Sequence, residues 1–274
     1  MFNKIAFIGA GSMTEAIISG MLNKNFLDSK QIHVINKNNK ERLDYLSEHF
    51  KINCVQEKSA LIKDADIIVL SMKPYDLKEA LLTYKEMIKE NQLIISVVAG
   101  ISTTYISTLL GNDAPVIRAM PNTSASIGYA ATAVAKGSYA TDNHLQASIE
   151  LFQTIGTTVV SKEEDLHAVT AVSGSGPAYV YYLVEAMEQA AVEIGLNKET
   201  AMDLIVQTVI GAGEMLKQSG ESAATLRKKV TSPSGTTESG VKTLQKHGFA
   251  ESIIECIKSA QARSIELGKE AQEK

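Results

Sequence analysis

Arginine is scarce in this chain of 274 residues, confined to Arg42, Arg118, Arg227 and Arg263. Lysine and arginine together number 27 against 31 acidic residues, so no basic stripe exists to neutralise a nucleic-acid backbone, and nucleic acid is excluded as a partner. Cysteine is scarcer still. Cys54 and Cys256 stand far apart and outside any CxxC or Cys/His cluster, which excludes a disulfide framework, gives no reason to expect a metal, and leaves both as packing residues. Long apolar runs are missing too. "LIISVVAGI", near mid-chain, is far too short to cross a bilayer, and "MFNKIAFIGAG" runs into a turn motif instead of a signal-peptide cleavage site. The expectation is a cytoplasmic protein with no membrane association, acting on small molecules. What is present, 45% hydrophobic and 21% charged residues, suits a globular chain of two domains.

The apolar residues are arranged in a rhythm. "KIAFIG", "QIHVIN", "ADIIVLSM", "QLIISVVAG" and "APVIRAM" read as strands with amphipathic stretches between most of them, which predicts a parallel sheet covered by helices. "YAATAVAKG", "TDNHLQASIELFQTIG" and "TTVVS" add a strand, a helix and a strand. From Glu163 onward the period becomes helical, over 165–172, 177–195, 198–218, 222–229 and 237–273. The expected division is therefore an α/β domain over 1–162 and an all-helical domain over 163–274. Within the latter, "AYVYYLVEAMEQAAVEIGL" is apolar nearly all round its first three turns, a pattern that demands burial against other helices or a second subunit.

"FIGAGSMTEAI" puts Gly9 and Gly11 directly after the first strand and at the mouth of a helix. Gly9 permits the tight turn, Gly11 lets the backbone approach a pyrophosphate, and the helix start supplies amide donors. Thr14 stands where GxGxxG has its third glycine, a position that governs helix packing more than phosphate contact. The second strand ends in "HVINKNNKER", with Asn36 and Lys37 where an NAD enzyme carries an acid for the ribose hydroxyls. An acid there would repel a 2'-phosphate, so NADPH is expected, with NADH the less favoured donor. "SMKPYD" and "VVAG" close the fourth and fifth strands at their carboxyl ends, where open parallel sheets hold ligands.

Two stretches of the helical half carry hydroxyls. Ser173 and Ser175 in "TAVSGSGPAYV" miss the GxSxG spacing, because Gly174 and Gly176 flank Ser175 immediately, and the five scattered histidines offer no triad. In "VTSPSGTTESG", Pro233 and Gly235 break one helix and "TTESGVKTLQ" starts the next, leaving Ser232 to Thr237 as a hydroxyl-lined turn. Such a helix start either binds an anion through free amides or is a plain capping turn.

Through "FIGAGSM", "MKP", "RAMPNT", "AVTAVSGSGPAY" and "VTSPSGTT", the chain resembles the pyrroline-5-carboxylate reductase family over essentially its full length. The resemblance implies a Rossmann-type NADP-binding domain followed by a helical dimerisation domain that interlocks with a second copy, as a homodimer or a higher assembly of dimers, the active site lying between one copy's nucleotide domain and the helical domains. The implied reaction is NADPH-dependent reduction of 1-pyrroline-5-carboxylate, a cyclic imino acid, to L-proline, the last step of proline synthesis. By the same resemblance the cofactor falls on Gly9, Ala10, Gly11, Ser12, Met13, Asn36, Lys37, Ser71, Met72, Lys73, Pro74, Ala99, Gly100 and Asn122. The substrate carboxylate falls on Ser232, Gly235, Thr236 and Thr237, with Glu163 at the domain junction as a further contact and Thr237 as the catalytic hydrogen-bond donor to the ring nitrogen. A protonated imine is already electrophilic, so a missing His or Cys catalyst is expected, with positioning and oriented dipoles supplying the acceleration.

This chain departs from the family pattern at Ser234, usually glycine, at His167, commonly Asp, at Lys58, usually Asn, and in the basic run Arg227, Lys228, Lys229. None removes a glycine or hydroxyl assigned a role. Two rivals keep the glycine turn. The nearer is a β-hydroxyacid dehydrogenase or other imine reductase; the former usually carries a catalytic Lys on its central helix, and residues 176–195 contain none. A non-catalytic NADPH-binding regulator would have no need of the threonine turn.

Overall fold

In the computed structural model, which describes residues 2–273, the chain divides into two compact units. One runs through Pro177 and regains the chain from Ser259 onward; the other is Ala178–Lys258. The expected border at 162/163 thus falls inside the first unit.

That unit is the α/β part. The chain alternates β1 (Ile5–Ile8), α1 (Ser12–Asn23), β2 (Ile32–Ile35), α2 (Lys40–Phe50), β3 (Asn53–Cys54), α3 (Lys58–Ile62) and β4 (Ile67–Leu70). It continues through α4 (Leu77–Tyr84), β5 (Leu93–Ser96), α5 (Thr103–Leu110) and β6 (Val116–Met120). Last come β7 (Ala130–Lys136), α6 (Asp142–Gln153) and β8 (Gly156–Val160). The sheet order is β3-β2-β1-β4-β5-β6-β7-β8, the doubly wound arrangement. β1, β4 and β5 are buried along their whole length, as expected of parallel strands covered on both faces. Alternate residues serve opposite layers: Ile5, Phe7, Ile67 and Val69 join α1 and α6 in one core, while Ala6, Ile8, Ile68 and Leu70 join α4 and α5 in another.

One pair breaks the expected parallel pattern. β7 runs antiparallel to β6, whereas all other neighbours are parallel. A parallel return needs a crossover on the order of a dozen residues or more. The link between β6 and β7 holds only a short 3₁₀ turn, Thr123–Ile127, so the strand comes straight back.

Beyond β8 lie a short α7 (Leu166–Val169) and a π turn over Thr170–Gly174, closed by the Ser175 amide on the Thr170 carbonyl at 2.8 Å. They stand where one helix over 165–172 is expected. The helices α8 (Gly176–Glu193), α9 (Lys198–Gln218), α10 (Ala223–Lys229), α11 (Thr236–Lys246) and α12 (Phe249–Glu273) follow. The single helix expected over 237–273 is two, because the chain turns at His247 and Gly248, whose φ of +68° no right-handed helix accommodates. In the second unit the core cluster is only Ala191, Ala201 and Ile205, with Val184 and Met187 against it. The latter part of α12 packs on the first unit: Ser264 hydrogen-bonds His167 at 2.9 Å, and Ala271 joins the α4–α5 core.

Candidate active site

The glycine turn after β1 is held from three sides. Gly9 has φ +115°, and a Cβ there would lie 2.6 Å from the Ser71 carbonyl oxygen, so glycine is required. Thr14 is buried and donates to the Gly9 carbonyl at 3.0 Å while sharing a 2.7 Å hydrogen bond with the Ser71 hydroxyl. The residue in place of the third glycine is therefore a fastener for the turn. From α2, Arg42 Nε donates to the Ala10 carbonyl at 2.8 Å, and its guanidinium is paired with Glu15 on α1.

Gly11 is the N-cap of α1 and supplies no side-chain cap; a Cβ on it would meet nothing within 4 Å. The helix start opens on a cleft of about 1120 Å³ lined by Gly9 to Met13, Asn36, Lys37 and Ser71 to Lys73. An uncapped helix start, an open cradle above Gly11 and room on this scale fit the diphosphate and one nucleoside of a dinucleotide. Asn38, Asn39, Gln56, Lys58, Asp76 and Glu79 also line the cleft.

Lys37 does not stand free. Its Nζ is 2.6 Å from the Glu79 carboxylate on α4; hydrogen bonding and charge from Glu79 hold the ammonium above its ordinary pKa, and Lys37 holds the carboxylate below its own. Sequence reading missed Glu79, since an acid in a helix's first turn is indistinguishable from one placed there for the helix dipole.

The remaining expected cofactor residues are not in the lining of this cleft. Pro74 opens a 3₁₀ turn, and neither it nor Ala99 and Gly100 lines the cleft. Gly100 packs against Gly268 of α12, where a Cβ would lie 2.8 Å from the Gly268 Cα. Asn122 uses both ends of its amide, accepting from the Ser124 amide at 3.2 Å and donating to the Ser173 carbonyl at 3.0 Å, and so ties the end of β6 to the π turn.

Glu163 is likewise engaged. Its two oxygens accept from the Thr103 amide and hydroxyl, each at 2.6 Å, and it lies 3.6 Å from Arg118 Nη1. Arg118 is 3% exposed; burial lowers its pKa while Glu163 opposes the shift. The geometry makes Glu163 the counterion of a buried arginine and the anchor of the α5 start. Its own burial, then the charge of Arg118, lowers the pKa of His167, with Glu163 opposing. Histidines do not line the cleft: His49 stacks on Tyr45, and the His144 ring accepts from the Thr141 amide at the start of α6.

The turn before α11 belongs to the second unit. Thr231 donates its hydroxyl to the Arg227 carbonyl at 2.6 Å, closing α10, and the Gly235 amide donates to the Ser232 carbonyl at 3.1 Å. Ser234 sits at φ +57°, the left-handed region, which explains the glycine usual there; its amide donates to Glu238 at 2.9 Å. That bond, then Lys242, holds the Glu238 carboxyl below its ordinary pKa. Gly235 is the N-cap of α11, without a side-chain cap, and a Cβ on it would strike the Ser232 hydroxyl. Thr236 and Thr237 follow as the first two helical residues, whose amides have no acceptor within the helix. By contrast, α2, α6 and α9 are capped by the side chains of Asn39, Thr141 and Asn197. Only one cation of the basic run is seen in an ion pair, Lys229 with Glu221.

Among the described residues there is no group of three or more metal-ligating side chains, and no helix is long and apolar enough to cross a membrane. Residues 163–267 match the family model described as pyrroline-5-carboxylate reductase dimerisation, and residues 4–100 match NADP oxidoreductase coenzyme F420-dependent. The solved pyrroline-5-carboxylate reductase of Coxiella burnetii is 33% identical with a TM-score of 0.90, covering 97% of this chain and 98% of its own. That of Plasmodium falciparum, solved with NADP bound, is 27% identical with a TM-score of 0.87 over 97% and 98%. Pyrroline-5-carboxylate reductase 2 of Bacillus subtilis is 45% identical over 96% of this chain and 95% of its own length. Identity at that level, held over nearly the whole of both chains, shows that this chain belongs to the pyrroline-5-carboxylate reductase family.

Proposed function

We propose that this chain is an NADPH-dependent reductase converting 1-pyrroline-5-carboxylate to L-proline, the last step of proline biosynthesis, and that it works as a homodimer without nucleic-acid or membrane partners. A cytoplasmic location belongs to this reading. The observation that carries it is the bare start of α11, with Thr236 and Thr237 behind an uncapping Gly235, in a chain whose relatives bear the name of that activity. The NADP of the Plasmodium relative supports the choice of cofactor.

In this reading the α1 start faces the pyrophosphate, Asn36 and Lys37 face the adenosine ribose, and Ser71 to Pro74 with Ala99, Gly100 and Asn122 bound or brace the rest of the site. When bound, the nicotinamide supplies a hydride. The amides of Thr236 and Thr237 clamp the substrate carboxylate, beside Ser232; the Gly235 amide is already spent on Ser232. Thr237 donates or relays a hydrogen bond to the ring nitrogen as the lone pair forms there. The ring enters as the protonated imine, and as hydride adds to its carbon the C=N π pair moves onto nitrogen, so no strong base is required. Orientation and fixed dipoles do the rest. The apolar faces left exposed on α8, Tyr181 and Tyr182 among them, suit the interface with the second copy.

The test is the absorbance of NADPH consumed with pyrroline-5-carboxylate, with proline measured as product. Binding of NADPH without turnover of the imino acid would overturn the enzyme reading in favour of a regulator, and turnover of β-hydroxy acids instead would favour a dehydrogenase.

A further inference from the structure

Lys37 at the end of β2 and Glu79 on the first turn of α4 form an ion pair of 2.6 Å, and both line the cleft. In enzymes built for NAD, the acid that accepts the ribose hydroxyls stands at the end of the second strand. Here that strand end carries Asn36 and Lys37, yet a carboxylate is still present beside it, delivered from a different element. We propose that Glu79 is a cofactor-specificity residue: its carboxylate competes with the 2'-phosphate of NADPH for Lys37, and accepts the free 2'-hydroxyl when NADH is bound. This rests on the dinucleotide reading of the cleft.

The geometry favours exchange. Lys37 and Glu79 have side chains 58% and 69% exposed, so their pairing is screened by solvent and easily given up. A phosphate offers Lys37 more charge and more acceptor oxygens than a carboxylate does. Once Lys37 turns to the phosphate, Glu79 faces a like charge; Lys58, also lining the cleft, lowers the Glu79 pKa and partly compensates, while Asp76 adds to the repulsion. With NADH there is no phosphate to draw Lys37 away, and a carboxylate within reach of the ribose is an acceptor for its hydroxyl. Glu79 thus weakens NADPH binding and supports NADH binding, narrowing the preference that Asn36 and Lys37 establish.

Isothermal titration of the full-length protein with 2',5'-ADP and with 5'-AMP separates the two effects without turnover. Glu79→Gln is expected to tighten 2',5'-ADP by roughly three- to tenfold and to weaken 5'-AMP by about twofold or more, so that the NADPH/NADH ratio of kcat/KM rises about tenfold. Glu79→Asp, with the carboxylate withdrawn by one methylene, should fall between. The side chain is exposed, and a circular dichroism spectrum unchanged by either substitution ties the shifts to binding. An affinity ratio unchanged within about twofold, or both probes shifting together, overturns the proposal. If the unmodified protein bound neither probe, the dinucleotide reading would fall with it; if it binds 2',5'-ADP and only the ratio fails to move, the role of Glu79 falls alone.

Discussion

The unit built on the sheet closes three apolar clusters of its own, whereas residues 178–258 gather only Ala191, Ala201 and Ile205 into a core and leave Tyr182 and Ile194 at 76% and 79% exposure. Helices are present in both units. What differs is where their apolar faces end. Burial of apolar surface is the dominant favourable term in folding, so a unit with so little of it is written for a core completed by another chain, consistent with the dimerisation model that matches residues 163–267. Both units nonetheless carry the same device, a helix that begins on glycine with no side-chain cap: α1 behind Gly11 and α11 behind Gly235. In the first unit three groups brace the preceding turn; in the second the turn is braced by its own backbone and Glu238.

The comparison breaks first at the apolar face. Tyr182→Glu with Leu183→Glu places like charges on α8, and light scattering should show monomers at concentrations where the unmodified chain associates, a weakening of at least about a hundredfold, with activity lost in parallel. An unmodified chain that is an active monomer would erase the distinction between the units.

Next is the α11 start. Thr237→Val keeps the shape and removes only the hydroxyl, and losing a hydrogen bond to a charged partner, about 1.5–3 kcal/mol, corresponds to roughly ten- to over a hundredfold in kcat/KM. The melting temperature should barely move. Efficiency retained within about twofold would return the turn to a simple helix start, whose cap is worth about 1 kcal/mol of stability.

Gly9→Ala tests the other glycine-started helix and should behave in the opposite way. A methyl at φ +115° beside the Ser71 carbonyl strains the braced turn by about 1–3 kcal/mol. Thermal unfolding is therefore expected several degrees lower, with weaker NADPH binding by titration. A variant with unchanged melting temperature and affinity would show that the bracing of this turn is not needed.

Ser234→Gly gives the smallest effect. Glycine adopts the left-handed region without the cost of about 1–2 kcal/mol that a Cβ brings, but loses more chain entropy on folding, so stability should rise by no more than about 1 kcal/mol. Activity should stay within about twofold of the unmodified enzyme; a larger loss would give the Ser234 side chain a role in the turn.

Much of both sites could be read from short stretches. A glycine pair after an apolar strand, and a proline and glycine before paired threonines, specify their conformations within a few residues. What stayed hidden was long-range pairing. Glu79 meets Lys37 across 42 positions, and Glu163 meets Thr103 across 60, so nothing in either neighbourhood points to the partner. The motif that holds Asn122 is visible in the sequence, while its partner carbonyl at Ser173 is not.

The sequence by itself determined the strand and helix rhythm of the first unit, the two glycine-started helices and the absence of an acid at the end of β2, because period, backbone freedom and side-chain charge are local properties. Only the tertiary structure decided that β7 returns antiparallel, that the unit takes in the π turn and the last part of α12, and that Lys37 faces a carboxylate from α4. These depend on which segments meet once the chain is closed, and a hydrogen bond or ion pair between distant residues leaves no periodic trace in either of them.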